Sequence, residues 1–316
     1  MSIPSNSLRA LIVTNMWPTS ADPESGIFVA DQVAALRRAG VDLEVFAFPG
    51  GGLAAYARAT ARLARMRQGR FDVVHAHFGL SAWVAMAAPA RVRAVTFHGT
   101  DLHHPRSRRI SLAALGRVDL VAAVSEDLAS EIPAGRVPSG VKILPCGIAT
   151  DRFAPGDRAE ARRQLGISQT ARVLLLPSDP GRPEKRADRA RELARATGSE
   201  LLTLGSVRPD DVATRINAAD AVVIPSEREG FGLALLEALA CARPVLSTPN
   251  GIAPTALAGM DGALCAEWNL DVWASTVDRI IAERPVPDAS QPIAEWSADA
   301  CASRVIDAWQ SELDRA

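Results

Sequence analysis

The 316-residue sequence is 48% hydrophobic and carries 35 basic against 36 acidic residues, so it can bury substantial cores but lacks the positive charge of a nucleic-acid-binding domain. No apolar stretch approaches the ~18 residues of a membrane helix. The start Met1-Ser2-Ile3-Pro4-Ser5-Asn6 lacks the basic-then-apolar layout of a secretion signal, and a cytoplasmic location is expected.

Leu8 to Thr14 reads as a buried strand, Asp31 to Ala39 as a helix closed by Gly40, and Val41 to Phe48 as a second strand, a βαβ beginning. Leu53 to Arg67 follows as a helix, Phe71 to His75 as a strand, Ala82 to Ala88 as a helix, and Ala94 to Phe97 and Leu120 to Val124 as strands. Pro145 to Gly156 is rich in turn formers and marks a linker. The alternation then restarts, with strands Val173 to Leu176, Leu201 to Leu204, Ala221 to Ile224 and Val245 to Leu246, and helices Lys185 to Ala196, Val212 to Ala218 and Leu233 to Ala240. Ala298 to Leu313 closes the chain as a helix with Ile306 and Trp309 on its apolar side. The expected fold is α/β, two Rossmann-like doubly wound domains facing across a cleft. Residues 1–150 form an N-terminal domain, 151–295 a second domain, and 296–316 a C-terminal helix packing back on the first.

Charge divides unevenly. Residues 1–150 hold sixteen basic and eleven acidic side chains, a net of +5, and the remainder nets −6. The basic half suits an anionic acceptor or a membrane surface. Only Lys142 and Lys185 are lysines, and a lysine in so arginine-heavy a chain invites a chemical role such as a compact ammonium at a phosphate. Cys146, Cys241, Cys265 and Cys301 are far apart without a CxxC pair, against a zinc knuckle or a disulfide framework.

The most informative segment is Ser226-Glu227-Arg228-Glu229-Gly230-Phe231-Gly232-Leu233-Ala234-Leu235-Leu236-Glu237, a glycine turn between a strand and a helix with carboxylates at Glu229 and Glu237. A helix start behind glycines exposes amides and a positive dipole end that suit a diphosphate, while the carboxylates can accept from sugar or ribose hydroxyls. Arg182 and Lys185, in Pro180-Gly181-Arg182-Pro183-Glu184-Lys185, follow the first strand of the second half, and cations there can neutralise a departing nucleotide. A solvated helix start is the competing account of that cluster.

Other motifs carry less. Gly50-Gly51-Gly52-Leu53-Ala54-Ala55 formally matches a dinucleotide fingerprint, but it follows the second strand, and Asp72 begins a strand instead of ending one. His75, His77 and His98 end strands without the spacing of a zinc site, and no metal is expected. His98, before Gly99 and Asp101, is the better site candidate. Arg58, Arg62 and Arg65 share a helical face near Arg67 and Arg70, either a solvated surface or a weak contact with anionic lipid. Arg106, Arg108 and Arg109, in the loop after Asp101, could recognise an anionic acceptor.

Together these residues resemble the retaining glycosyltransferases of family GT4, with the GT-B fold, over nearly the whole chain. Glu229 to Glu237 looks like the family's E-x7-E element, followed by Leu236-Glu237-Ala238 and Arg243-Pro244-Val245. The resemblance implies that Glu229 contacts the donor sugar and Glu237 the ribose, that Gly230, Phe231, Gly232 and Leu233 face sugar and phosphate, and that Lys185 is the diphosphate lysine. Gly26, in Ser25-Gly26-Ile27, is similar to the glycine loop after the first strand, and His98-Gly99-Thr100-Asp101 to the histidine loop. The departures are specific: Asp179 or Pro180 stands where the phosphate arginine usually lies, leaving Arg182 open in that role. Ala242 replaces a common glycine, Asn250-Gly251-Ile252 lacks an acidic residue, and a strand–helix unit is missing between Leu204-Gly205 and Val212.

The implied activity is metal-independent transfer of a sugar, with retention, from a nucleotide diphosphate-sugar to a hydroxyl-bearing acceptor, anionic or lipid-linked, with no cofactor and no nucleic-acid partner. A peripheral position at the inner membrane face is compatible with it. The alternatives are a nucleotide-sugar epimerase of the same fold and a non-catalytic nucleotide-sugar-binding protein.

Overall fold

The computed structural model describes residues 8–66, 69–205 and 207–316. The start through Asn6, and Arg67, lie outside them. The chain divides into two compact units: one ends at Gly147 and takes in Ala298–Ala316, and the other is Ile148–Ser297.

In the first unit β1 (Arg9–Thr14), α1 (Ile27–Arg38), β2 (Asp42–Ala47), α2 (Leu53–Arg65) and β3 (Phe71–His77) are followed by α3 (Ser81–Ala85) and β4 (Ala90–Phe97). Then come α4 (Thr100–His103), α5 (Pro105–Ala113), β5 (Leu120–Ala123), α6 (Glu126–Ser130) and β6 (Lys142–Ile143). In the second unit α7 (Arg158–Leu165), β7 (Val173–Leu176), α8 (Ala187–Ala196), β8 (Glu200–Thr203), α9 (Pro209–Ala218) and β9 (Ala221–Ile224) precede α10 (Leu233–Ala240). After them run β10 (Val245–Ser247), α11 (Ala253–Ala256), β11 (Ala263–Cys265), α12 (Leu270–Glu283) and α13 (Ser290–Glu295). The last helix, α14 (Ala298–Leu313), belongs to the first unit.

Both sheets are parallel. Their orders are β2-β1-β3-β4-β5-β6 and β11-β10-β9-β7-β8. In each, the chain adds a strand on one side of the starting strand and then crosses to the other, so topological switch points fall between β1 and β3 and between β7 and β9. Ligands of such sheets bind at the carboxyl ends of strands flanking the switch. Strands such as β7, Val-Leu-Leu-Leu, are buried throughout because helices cover both faces.

The first core joins Ile12, Leu36, Val73, Val92 and Leu120 to Ala302, Val305 and Trp309 of α14. Trp309 is fully buried, and its indole N–H donates to His75 Nδ1 at 3.1 Å. The second core joins Leu174, Leu193, Val223 and Leu246 to Trp273, Val277 and Ile280 of α12. The amino ends of that sheet are locked by the buried Arg162, which donates to the carbonyls of Ala218, Gln169 and Ala171 and pairs with Asp220 at 2.9 Å. Asp220 also accepts the Val173 amide at 2.8 Å, so that end of the sheet is structural and the carboxyl ends are left for chemistry.

The structure corrects several local expectations. α1 starts at Ile27 because Gly26 turns left-handed (φ 66°) immediately before it. Arg106, Arg108 and Arg109 lie on α5, a helix opened by Pro105, and not in a loop. Lys185 ends the 3-10 turn Pro183–Lys185, and α8 begins only at Ala187 after Arg186 adopts φ 52°. β6 and β11, of two and three residues, are too short to leave a pattern. α12 carries a clear one, with Asn269 accepting from the Val272 amide and Trp273, Val277 and Ile280 along one face.

Candidate functional site

A small pocket opens at the carboxyl ends of β7 and β9, with Ser178, Lys185, Ser226, Glu229, Gly232 and Leu235 in its lining. It therefore occupies the second unit's switch point. Lys185 Nζ lies 2.6 Å from Glu229 Oε2, with only 14% and 13% of the two side chains exposed. The segments bearing them are tied by the backbone, the Glu227 amide donating to the Glu184 carbonyl at 2.9 Å, and by Arg186, which bonds Glu227 Oε1 at 2.9 Å.

The glycines in this loop answer steric demands. Gly232 caps α10 at φ 115°, where a side chain is strained, and no side chain caps the helix or places a carboxylate in its first turn. The Leu235 and Leu236 amides bond back to the Gly232 carbonyl at 3.0 and 3.4 Å, while the amides of Leu233 and Ala234 ahead of them have no carbonyl of the helix to reach, so its positive end faces a pocket that Gly232, Ala234 and Leu235 line. A Cβ on Gly251 would meet the Phe231 carbonyl oxygen at 2.3 Å, and the Ile252 amide donates to that same oxygen at 2.8 Å. Phe231 is buried edge-on to Trp296. Asn250 Nδ2 and Thr248 Oγ1 both donate to the Ser226 carbonyl, at 2.9 and 2.6 Å.

Lys185, Glu229 and Gly232 thus meet in one pocket, with Gly230, Phe231 and Leu233 on the same turn and Glu237 further along α10. Arg182 does not join them. Its guanidinium bonds Glu184 Oε1 at 2.5 and 2.8 Å, and it is 54% exposed, so the notion that it partners Lys185 at the diphosphate is not met by this arrangement. Sequence reasoning missed Ser178. The hydroxyls of Ser178 and Ser226 are buried without a hydrogen-bond partner among the described residues, and both residues line the pocket. Their signal was their position, each two residues past a strand that flanks the switch point.

A scan against family models matches residues 25–152 to Glycosyltransferase Family 4 and residues 163–283 to Glycosyl transferases group 1. A D-inositol 3-phosphate glycosyltransferase of Actinosynnema mirum is 30% identical over 292 residues, covering 73% of this chain and 69% of that protein. The chain belongs to glycosyltransferase family 4. A relative of the same name from Geodermatophilus obscurus is also 30% identical, the match taking in 63% of its length. Among solved structures, the catalytic domain of starch synthase IV from Arabidopsis thaliana, bound to ADP and acarbose, superposes with a TM-score of 0.72 at 13% identity, over 98% of this chain and all of that one. Anabaena Alr3699/HepE in complex with UDP and glucose gives 0.65 at 16% identity, over 98% and 99%. The fold of the glycosyltransferase is GT-B.

The first unit of this glycosyltransferase carries the remaining residues. Gly26 is held where a Cβ would lie 2.3 Å from the Met16 carbonyl. Asp101 was expected to face the acceptor, yet it is completely buried and its carboxylate accepts the amides of Gly79 (3.0 Å), Gly99 (2.9 Å) and His98 (3.2 Å). It fastens the loop after β3 to the loop after β4. Arg108 donates to the Glu131 carbonyl at 2.8 Å, and Glu131 also receives His103. Arg106 and Arg109 are exposed on α5.

His98 stacks on His77, and His77 on His75, with centroids 5.2 and 4.8 Å apart. His98 Nε2 lies 3.0 Å from His77 Nδ1, and His98 Nδ1 lies 3.9 Å from Cys146 Sγ. Both His98 nitrogens are thus engaged within the unit, which fits a structural role better than the catalytic one expected. Because Trp309 donates to His75 Nδ1, His75 carries its proton on Nε2 and donates to Thr96 Oγ1 at 2.8 Å. Burial lowers the pKa of all three, that of His77 to about 3, and His75 and His98 are depressed further by the neighbouring imidazoles.

Among the described residues no group of three or more His, Cys, Asp or Glu is placed to hold a metal ion, and no helix is long and apolar enough to cross a membrane. The Gly50 loop follows β2, the edge strand, away from the switch point where a dinucleotide fingerprint belongs. On α2, Arg62 reaches back to the Ala47 carbonyl at 2.7 Å and lies over the Phe46 ring, whereas Arg58 and Arg65 are exposed.

Proposed function

We propose that this glycosyltransferase moves a sugar from a nucleotide diphosphate-sugar to an acceptor hydroxyl with retention at the anomeric carbon. The observation that carries this reading is the Lys185–Glu229 pair beside the uncapped start of α10. An ammonium and free helix amides suit a diphosphate, and a carboxylate suits sugar hydroxyls. Similar structures hold UDP with glucose, or ADP, which supports a donor of that class.

In this scheme the bond between the anomeric carbon and the donor phosphate oxygen breaks, the acceptor oxygen bonds the same face of the sugar, and its proton passes to the departing phosphate oxygen. Lys185 and the α10 amides stabilise the charge that accumulates on the diphosphate, the part a divalent cation plays in metal-dependent transfer. No cofactor is assigned, and turnover is expected to survive exhaustive dialysis against EDTA. The acceptor is anionic or lipid-linked, in line with relatives named for inositol 3-phosphate, and Arg106 and Arg109 are the cations assigned to it. Weak membrane-surface contact is assigned to Arg58, Arg65 and the 86%-exposed Leu53, and sedimentation with anionic vesicles tests it.

A thermal-shift screen of UDP-, GDP-, ADP- and TDP-sugars tests the donor class, since a ligand that binds the native state raises the midpoint. Proton NMR of the transferred linkage then reads retention. Formation of an epimer or free glycal without acceptor favours the epimerase, and donor binding with no product from any acceptor favours a binding protein.

A further inference from the structure

Lys185 and Glu229 do more than supply one cation and one anion, because each is the other's partner. Their polar atoms are 2.6 Å apart, both side chains are mostly buried, and the other residues lining the pocket are uncharged. Arg182 is bonded to Glu184, so Lys185 is the cation that a diphosphate would meet in this pocket. A diphosphate that engages Lys185 competes with Glu229 for its ammonium, whose single positive charge must then be shared between two anions. A largely desolvated carboxylate with weakened compensation is costly, so a further donor at Glu229 is favoured.

A nucleotide sugar brings that donor, since its hydroxyls can donate to Glu229. A nucleoside diphosphate without sugar brings no donor, and it adds negative charge beside the carboxylate. We propose that Glu229 discriminates between the intact donor and the sugar-free diphosphate, favouring the first and helping to expel the second after transfer by recapturing Lys185. The inference rests on the nucleotide-sugar reading above, but it concerns selectivity and release and not the identity of the reaction.

Isothermal titration with pyrophosphate, with UDP and UDP-glucose, and with GDP and GDP-mannose tests it on the full chain. In the wild type, the nucleotide sugar should bind more tightly than its nucleoside diphosphate. In Glu229→Gln, pyrophosphate and the nucleoside diphosphate should bind about tenfold or more tightly than to the wild type, the effect of removing a like charge at close range. Sugar-nucleotide affinity should not rise, so the ratio between the two ligands collapses, and Glu229→Ala should move that ratio the same way. Unchanged ratios in both variants, or a wild type that prefers the bare diphosphate, overturn the discrimination while leaving the transferase reading standing. A wild type that binds pyrophosphate but none of the nucleotide sugars overturns both.

Discussion

Acid should loosen the first unit through its histidine stack. His75, His77 and His98 are held neutral: His75 has both nitrogens committed to Trp309 and Thr96, and buried His77 Nε2 has no acceptor ready for a proton. Burial drives each folded pKa down, that of His77 to about 3, whereas in the unfolded chain each returns to about 6.5. The unfolded state therefore binds more protons below pH 6.5, and stability contributed by the stack is full above that value and declines as pH falls toward the folded pKa values. Between pH 7 and 5.5 an imidazole held neutral costs about 1 kcal/mol, so the stack costs a few kcal/mol, a large share of a typical domain's ~5–15 kcal/mol. Ordinary carboxylates titrate below this window.

The assay is urea unfolding at pH 7.0 and 5.5, followed at the Trp309 indole N–H resonance so that only the first unit is read. In His77→Phe one titrating group is gone, and the acid loss should shrink by about a third. Equal stability at the two pH values, or an undiminished loss in the variant, would refute the argument that these rings are buried as neutral species.

Ala242 sits at φ 53° after α10, in a region that strains a Cβ, so Ala242→Gly should stabilise the second unit by about 0.5–1 kcal/mol, read as a raised urea midpoint. Asp101→Asn puts an amide in place of one carboxylate oxygen among three backbone N–H donors. It should cost about 3 kcal/mol and speed hydrogen exchange at Gly79 and Gly99, and a variant as stable as wild type argues against the loop-fastening role. Lys185→Ala should lower kcat with the identified donor by about 10²–10³-fold, the scale of losing one transition-state charge contact, while circular dichroism stays unchanged.

The local chemistry of the donor-side turn was legible because it is local. A buried strand, glycines and a run of helix formers specify strand, turn and helix within one segment, and Gly232 to Ala240 forms as that pattern requires. The restart of alternating elements after Pro145-Cys146-Gly147 likewise announced two parallel sheets, since apolar runs and turn formers act over a few residues. The partner of Arg182 was not legible, for the opposite reason. Its position along the chain put it near Lys185, but a guanidinium goes to the nearest well-aimed carboxylate, and Glu184 is two residues away.

By itself, then, the sequence determined the element types, the doubly wound class and the motif that names the family. Only the tertiary structure decided which side chains meet. Lys185 and Glu229, 44 positions apart, pair because β9 lies beside β7 while β8 is sent to the edge. Asp101 is spent on backbone amides, and α14 crosses back to bury Trp309 against His75 in the first core. Strand order and burial are settled by the cooperative packing of distant segments, and no short window of residues contains that information.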